Sequence, residues 1–273
     1  IKKRFKFKDI HSCKRALTVK PFVKEEYGGK AIAFPIYLES HKKIYLPKHF
    51  GLEKFGEPDQ VKIDKGYEID LEFNGQLRPK QKPIVEAFIK SCDEGSFCLK
   101  SNGGIISVPC GWGKTIIALY LISKLKRKTL IVVHKEFLLN QWKQRIAEFL
   151  PDARVGRIQG PTIDIDNKDI VIGMLQSLSI KEYDSEVFSD FGFSIVDECH
   201  HIAAEVFSRS LPKINTYYSL GLSATPNRSD GLQKVFTMFL GPMLYRITSA
   251  DDKKVLVHSI EYNDLNEKYS KEE

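Results

Sequence analysis

The stretch Val108-Pro109-Cys110-Gly111-Trp112-Gly113-Lys114-Thr115 constrains this chain more than any other. An apolar run, Ile105-Ile106-Ser107-Val108, leads into it and reads as a buried parallel strand. Ile116-Ile117-Ala118-Leu119-Tyr120-Leu121-Ile122 follows, apolar all round, and reads as a buried helix. Strand, glycine-rich turn, Gly-Lys-Thr and helix together make the pattern of a phosphate-binding loop. Glycine lets successive backbone N–H groups fold into a nest around phosphate oxygens, and the helix N-terminus adds partial positive charge. Gly111, Trp112, Gly113, Lys114 and Thr115 are therefore the expected nucleotide-binding loop. Lys114 would reach the β- and γ-phosphates, and the Thr115 hydroxyl would ligate Mg²⁺. Val108 stands where the usual pattern has its first glycine. Two readings of Trp112 stand: it packs against the sheet, or it covers the nucleotide.

A second chemical signal lies 83 residues after Lys114. Phe193-Ser194-Ile195-Val196 reads as a buried strand, and Asp197-Glu198-Cys199-His200 follows it. A carboxylate at the end of a buried strand, paired with a phosphate loop, suits a metal-holding Asp197. Glu198 beside it suits the base that orients an attacking water.

The alternation of strands and helices from residue 77 onward implies a parallel sheet covered on both faces. Strands are expected over 105–108, 129–133, 154–158, 169–172, 193–196, 219–222, 244–247 and 255–262, and helices over 80–91, 116–122, 136–149 and 231–239. In such a sheet ligands sit at the carboxyl ends of the strands, where the phosphate loop, the acidic pair and Ser223-Ala224-Thr225 all fall. Residues 1–75 read differently. They carry short apolar runs at 16–19, 31–38 and 43–47, and period-two patterns at 61–63 and 67–73, with no strong helix. A small β-rich basic module is expected there, with Asn74-Gly75 as the boundary turn.

Net charge is +7, and residues 1–50 hold thirteen Lys and Arg against four Asp and Glu. That imbalance suits a module tracking a phosphate backbone, and equally a solvated lysine-rich face. Five cysteines without a Cys-x-x-Cys pair suit a reducing compartment rather than a disulfide or zinc scaffold. No apolar run approaches the roughly 20 residues of a membrane-spanning helix. Asp166-Asn167-Lys168-Asp169 resembles a guanine-reading motif, but its final Asp comes one residue too early.

Pro109-x-Gly111-x-Gly113-Lys114-Thr115, Asp197-Glu198-x-His200 and Ser223-Ala224-Thr225 together resemble the superfamily 2 DExH-box helicases and translocases. Leu220 to Thr225, continuing Pro226-x-Arg228-x-Asp230-Gly231, resembles the XPB-type branch and the helicases of large DNA viruses. The likeness covers residues 77 to about 248. It implies a RecA-like domain over 76–250, preceded by the module at 1–75 and followed at 251–273 by a linker to a second RecA-like domain. It further implies ATP and Mg²⁺ as cofactors. Leu77-Arg78-Pro79-x-Gln81 resembles the family's Q motif, so Arg78 and Gln81 are expected at the nucleotide, with the Gln81 amide on adenine. Val132-Val133-His134 through Gln141-Trp142 is similar to motif Ia, and Gly173 to Leu178 to motif Ib, so His134, Lys135, Gln176 and Ser177 are expected to touch nucleic acid. His200, Ser223 and Thr225 are expected to couple the nucleotide to domain closure. Arg228 is expected to contact either nucleic acid or the partner domain.

The implied function is the N-terminal half of an ATP-dependent helicase or translocase acting on nucleic acid, DNA before RNA. An intracellular location is implied, in a viral factory or virion for a viral protein and in the nucleus otherwise. The family's second domain carries a Gln-x-x-Gly-Arg-x-x-Arg motif, which does not occur in the 48 residues after Thr225. The isolated segment is therefore expected to turn over weakly or not at all. The alternatives are an ATP-clamped nucleic-acid-binding module and the motor subunit of a restriction-type complex.

Overall fold

The computed structural model describes residues 7–21, 32–92, 102–199, 202, 204–224 and 232–247. The chain opens with helix α1 (Phe7–Ala16), the short strands β1 (Thr18–Val19), β2 (Phe34–Pro35), β3 (Leu38–Ser40) and β4 (Lys43–Tyr45), and helix α2 (Lys48–Phe55). Two helices therefore stand in a region where no strong helix was expected, and the strands pair merely as β1–β2 and β3–β4. The reason is visible in the burial. Cys13 and Leu17 sit four residues apart on the inward side of α1 and its end, and His49 and Phe50 are the buried residues of α2. In runs this short a helical stripe and a strand pattern look alike.

Val61-Lys62-Ile63 and Tyr67 to Phe73 form no named strand, contrary to their period-two pattern. Residues 64–74 instead run as an extended strap across the chain ends that lead into the main sheet. Tyr67 donates its N–H to the Asp190 carbonyl at 2.9 Å, Lys128 donates to Tyr67 at 2.8 Å, and Ile69 donates to Lys126 at 3.1 Å. The pattern reported which residues face inward, since Ile69 and Leu71 are buried, but one isolated bridge, Glu68 to Arg127, is all the ladder the strap makes.

The main sheet comprises β5 (Gly103–Ser107), β6 (Thr129–Val133), β7 (Val155–Gln159), β8 (Thr162–Asp164), β9 (Ile170–Met174), β10 (Phe193–Val196), β11 (Tyr218–Ser223) and β12 (Met243–Arg246). Their spatial order is β12-β5-β11-β10-β6-β9-β7-β8. Every pairing is parallel except β7–β8. The helices are α3 (Lys82–Cys92), α4 (Lys114–Leu125), α5 (Glu136–Phe149), α6 (Leu175–Ile180), α7 (Ala204–Ser210) and α8 (Gln233–Leu240). This is the expected α/β fold with helices on both faces. The expected strand at 255–262 lies outside the described residues.

The sheet's alternation sorts its side chains into two layers. Ile131, Val133, Ile172, Ile195, Leu220 and Leu222 join one core with residues of α3, α4 and α5. Leu130, Val132, Val171 and Val196 join the other with residues of α7 and α8. Cys13, Leu17, Ile36 and Phe50 belong to that second core, so the N-terminal elements share the sheet's hydrophobic layer. Helix α2 packs on α8, and Lys48 at its start donates to the Tyr217 carbonyl at 2.8 Å. Burial pulls the Lys48 ammonium down to about 8 and pushes the nearby Cys92 thiol up to about 11. Among the described residues no helix is long and apolar enough to cross a membrane.

Two consequences are measurable. Gly66 and Gly192 let the strap touch the start of β10 backbone to backbone: a Cβ on Gly192 would lie 1.9 Å from the Lys65 carbonyl oxygen. Gly192→Ala should cost about 1–3 kcal/mol, read as a lowered urea midpoint. His49 is buried, and its Nε2 has no partner among the described residues. Burial, and then the neighbouring Lys48 charge, holds its imidazole down at about 3. The unfolded chain takes up that proton near 6.5, so this contribution to stability is complete above pH 6.5 and is lost as pH falls toward 3. His49→Leu should flatten the acid limb of the stability–pH curve in that window, whereas an unchanged limb would show that His49 is not its cause.

Candidate functional site

Five parallel strands deliver the chain to one edge of the sheet. After β5 the backbone turns through Val108 to Gly113 and enters α4. Val108 donates its N–H to the Ser223 carbonyl at 3.1 Å, which carries the β5–β11 ladder one residue past the strand end. Gly111 and Gly113 hold φ of +80° and +79°, in the left-handed region that a side chain penalises. Gly113 caps α4, so the first backbone N–H groups of a twelve-residue helix open onto the loop. Lys114 and Thr115 form the first turn of that helix.

Asp197 follows β10 directly, and its N–H extends the β10–β6 ladder to the Val132 carbonyl at 3.0 Å. Its side chain is buried and doubly held. Trp142 on α5 donates its indole N–H to Oδ2 at 2.8 Å, and the Glu198 backbone N–H donates to Oδ1 at 2.9 Å. Burial pushes the Asp197 carboxyl above its ordinary range, with the Glu198 charge adding to the rise; the Trp142 and Glu198 N–H groups and Lys114 oppose it. Glu198 has φ of +46°, an uncommon conformation for a residue with a Cβ and one that accumulates at functional sites. Its Oε1 lies 3.5 Å from Lys114 Nζ, joining the acidic turn to the glycine-rich loop before α4.

Gln81 packs against the same loop. It ends the 3₁₀ turn Pro79–Gln81 and is 2 % exposed. Its Oε1 accepts the Arg78 backbone N–H at 2.8 Å, and its Nε2 donates to the Trp112 carbonyl at 3.0 Å. One partner is a donor and the other an acceptor, so the amide has a single orientation. A Cβ on Gly113 would lie 2.5 Å from Gln81 Nε2. The Arg78 side chain is exposed. The half-buried Trp112 ring carries the Lys80 ammonium 4.3 Å from its centroid. The ring also packs against the core that the sheet forms with α3, α4 and α5, in line with the first of the two sequence readings, and Lys80 of the Pro79–Gln81 turn lies over it.

The remaining expected residues scatter along the same edge. His134 and Lys135 follow β6, and Gln176 and Ser177 open α6 after β9. Gln176 Nε2 donates to the His134 carbonyl at 2.8 Å, tying the two strand ends together. Ser177 Oγ accepts the Gly160 N–H at 2.9 Å, so that hydroxyl braces a turn. Ser223 ends β11 and is buried. His200, Thr225 and Arg228 lie outside the described residues. Asp169, the last residue of the guanine-like stretch, instead receives the Arg154 guanidinium on both oxygens, at 2.9 and 2.6 Å. Two residues here were given no role from the sequence: Trp142, which closes the motif Ia resemblance and lies on the buried stripe of α5, and Lys80. A buried indole N–H needs an acceptor, and that rule was the available clue to Trp142.

A family model described as "Type III restriction enzyme, res subunit" matches residues 74–228, more than half of the chain. The chain belongs to that family. The superfamily 2 helicase resemblance read from the motifs is thereby borne out, as are its viral and XPB-like leanings. This member of the res-subunit family is 38 % identical over 263 residues to a protein of Acanthamoeba polyphaga mimivirus, provisionally named ATP-dependent RNA helicase L396, covering 94 % of this chain and 49 % of that one. It is also 38 % identical over 177 residues to the DNA 3'-5' translocase XPB2 of Sulfurisphaera tokodaii, covering 63 % of this chain and 36 % of that one. The chain thus spans about half the length, or less, of these two curated relatives. The UvsW helicase of bacteriophage T4 superposes with a TM-score of 0.57 at 17 % identity, over 88 % of this chain and 94 % of that one, a likeness of fold.

The two loop glycines separate conformation from contact. Gly111→Ala meets open space, and its cost should be the left-handed backbone alone, about 1–2 kcal/mol. Gly113→Ala shares that strain and also displaces Gln81 from the Trp112 carbonyl. It should lose about 1 kcal/mol more in urea denaturation. Equal losses would mean that the Gln81–Trp112 bond adds nothing to stability.

Proposed function

We propose that this chain is the first motor half of an ATP-dependent DNA helicase or translocase. The RecA-like domain spans 76–250, the accessory module 1–75, and 251–273 leads toward a second RecA-like domain. The observation that carries this reading is the 3.5 Å approach of Lys114 Nζ to Glu198 Oε1, which joins a phosphate-type loop to an acidic strand end in one site. The lengths of the relatives support a second domain, and the module's share in the sheet's core supports its acting as one body with the first.

In this reading Gly111, Gly113 and the start of α4 cradle the phosphates, and Lys114 neutralises charge at the β- and γ-phosphates. Arg78 and Gln81 lie at the base. Thr115 and Asp197 would hold Mg²⁺. The donor set fits a hard cation: a hydroxyl, and a carboxylate whose burial already disfavours an uncompensated negative charge. When bound, the ion supplies positive charge at the β- and γ-phosphate oxygens. Glu198 takes the proton of the attacking water, and its approach to Lys114 keeps it beside the γ-phosphate position. His134, Lys135, Gln176 and Ser177 face nucleic acid at the linked ends of β6 and β9. His200, Ser223 and Thr225 transmit the nucleotide state, and Arg228 reaches nucleic acid or the second domain. The XPB2 relative's name favours DNA, while the mimivirus relative's name favours RNA. The viral and XPB relatives support an intracellular site of action.

The test is ATP turnover by this chain and by the chain extended by about 200 residues, each with DNA, RNA or neither. The extended chain should turn over under DNA, and this chain alone should be slower by about 10³-fold or more, for want of an arginine from the second domain. Lys114→Ala should remove the remaining activity. Stimulation by RNA alone would reassign the polymer. Binding of ATP without turnover in either chain would favour an ATP-clamped binding module. DNA cleavage by a complex containing the chain would favour a restriction-type motor, the reading that the family description suggests.

A further inference from the structure

Trp142 is nearly fully buried in the hydrophobic core, yet it carries a polar N–H, and the acceptor is itself a buried carboxylate. Space filling alone would be met by Phe or Leu. Asp197 accepts Trp142 on one oxygen and the Glu198 N–H on the other, so its carboxylate cannot turn about its own axis without losing both charge-assisted bonds. Each oxygen keeps a lone pair for a further partner. Trp142 belongs to α5, whose start follows His134 and Lys135. Phe137 in the first turn of that helix is 62 % exposed, with Lys135 Nζ 5.9 Å from its ring. One helix therefore holds both the outer surface at residues 134–137 and the clamp on Asp197.

We propose that Trp142 is the positioning residue for Asp197: its indole N–H locks the carboxylate in the orientation that receives the nucleotide's Mg²⁺ and makes α5 the rigid link between that carboxylate and the surface at 134–137. The proposal rests on the reading of Asp197 as a metal-holding residue. Groups that orient a ligand from behind typically set metal affinity by about 10–100-fold. The lock acts on the metal and leaves metal-free nucleotide binding to the phosphate loop.

The chain has two tryptophans, Trp112 in the phosphate loop and Trp142, so a ¹H–¹⁵N spectrum shows two indole signals, assigned with Trp112→Phe and Trp142→Phe. ADP in the presence of a chelator should move the Trp112 signal. Mg²⁺ added to the ADP-saturated chain should then move the Trp142 signal. By calorimetry, Trp142→Phe should bind metal-free ADP as the parent does, yet require about tenfold or more Mg²⁺ for half-saturation of its ADP complex. A Trp142 signal indifferent to Mg²⁺, or a Trp142→Phe chain with an unchanged or lower Mg²⁺ requirement, overturns the proposal and leaves the nucleotide site intact. If ADP moves neither signal and does not bind, the nucleotide-site reading falls, and this proposal with it. The titration on the parent chain decides the matter even where Trp142→Phe folds poorly.

Discussion

The parallel ladder through β5, β11, β10 and β6 is the constraint on which the rest of the molecule depends. Its register sets Val132, Val196, Gly221 and Ile105 side by side, with Ser223 and Ser107 paired two residues further along. The backbone bonds from Val108 to Ser223 and from Asp197 to Val132 extend it just beyond the strands. The glycine-rich loop and the acidic turn thus leave the same end of the sheet, although 83 residues separate Lys114 from Asp197. A slip of one residue in either pairing would exchange the two faces and point each functional side chain into the wrong layer.

Charge at the site is held by a small number of directed bonds in a partly shielded region. A buried carboxylate is costly unless hydrogen-bonded, and Asp197 meets that condition with two N–H donors. Lys114 and Glu198 sit against it as a part-shielded pair. Gln81 fastens the loop through the Trp112 carbonyl, where only glycine at 113 leaves room for the amide. The site is therefore largely shaped before any ligand arrives, which lowers the reorganisation needed on binding.

The N-terminal elements answer to the same sheet. Cys13, Leu17, Ile36 and Phe50 complete a hydrophobic layer that β6, β9 and β10 begin. The strap at 64–74 crosses the opposite edge from the site, held there by backbone bonds and by the contact of Gly66 with Gly192. Whatever this region does for function, its removal would expose a core face, so truncation at residue 75 would test stability before it tested activity.

Much of the fold was legible because long, strongly patterned segments carry their own signal. Thr129–Val133 and Phe193–Val196 are unbroken apolar runs, and Glu136–Phe149 is a clear amphipathic helix; all three were read with the bounds observed. Local chemistry likewise marked the tight turn at Gly111–Gly113 and the acidic pair after β10, because glycine at positive φ and a carboxylate after a buried strand are features of short stretches of chain. Helices α1 and α2 were not legible, because eight to ten residues with a few inward side chains fit either period until a partner surface exists. The strap kept a strand's alternation without a strand's ladder, since pairing needs a neighbour that only the assembled sheet supplies. The same holds for the bonds that finish the site. By itself the sequence determined where the chain would turn tightly on glycine and which residues could carry charge. Only the tertiary structure decided that Trp142 would meet Asp197, that Gln81 would meet the loop, and that Lys114 would meet Glu198, because each of these contacts joins segments whose separation along the chain leaves no trace in local pattern.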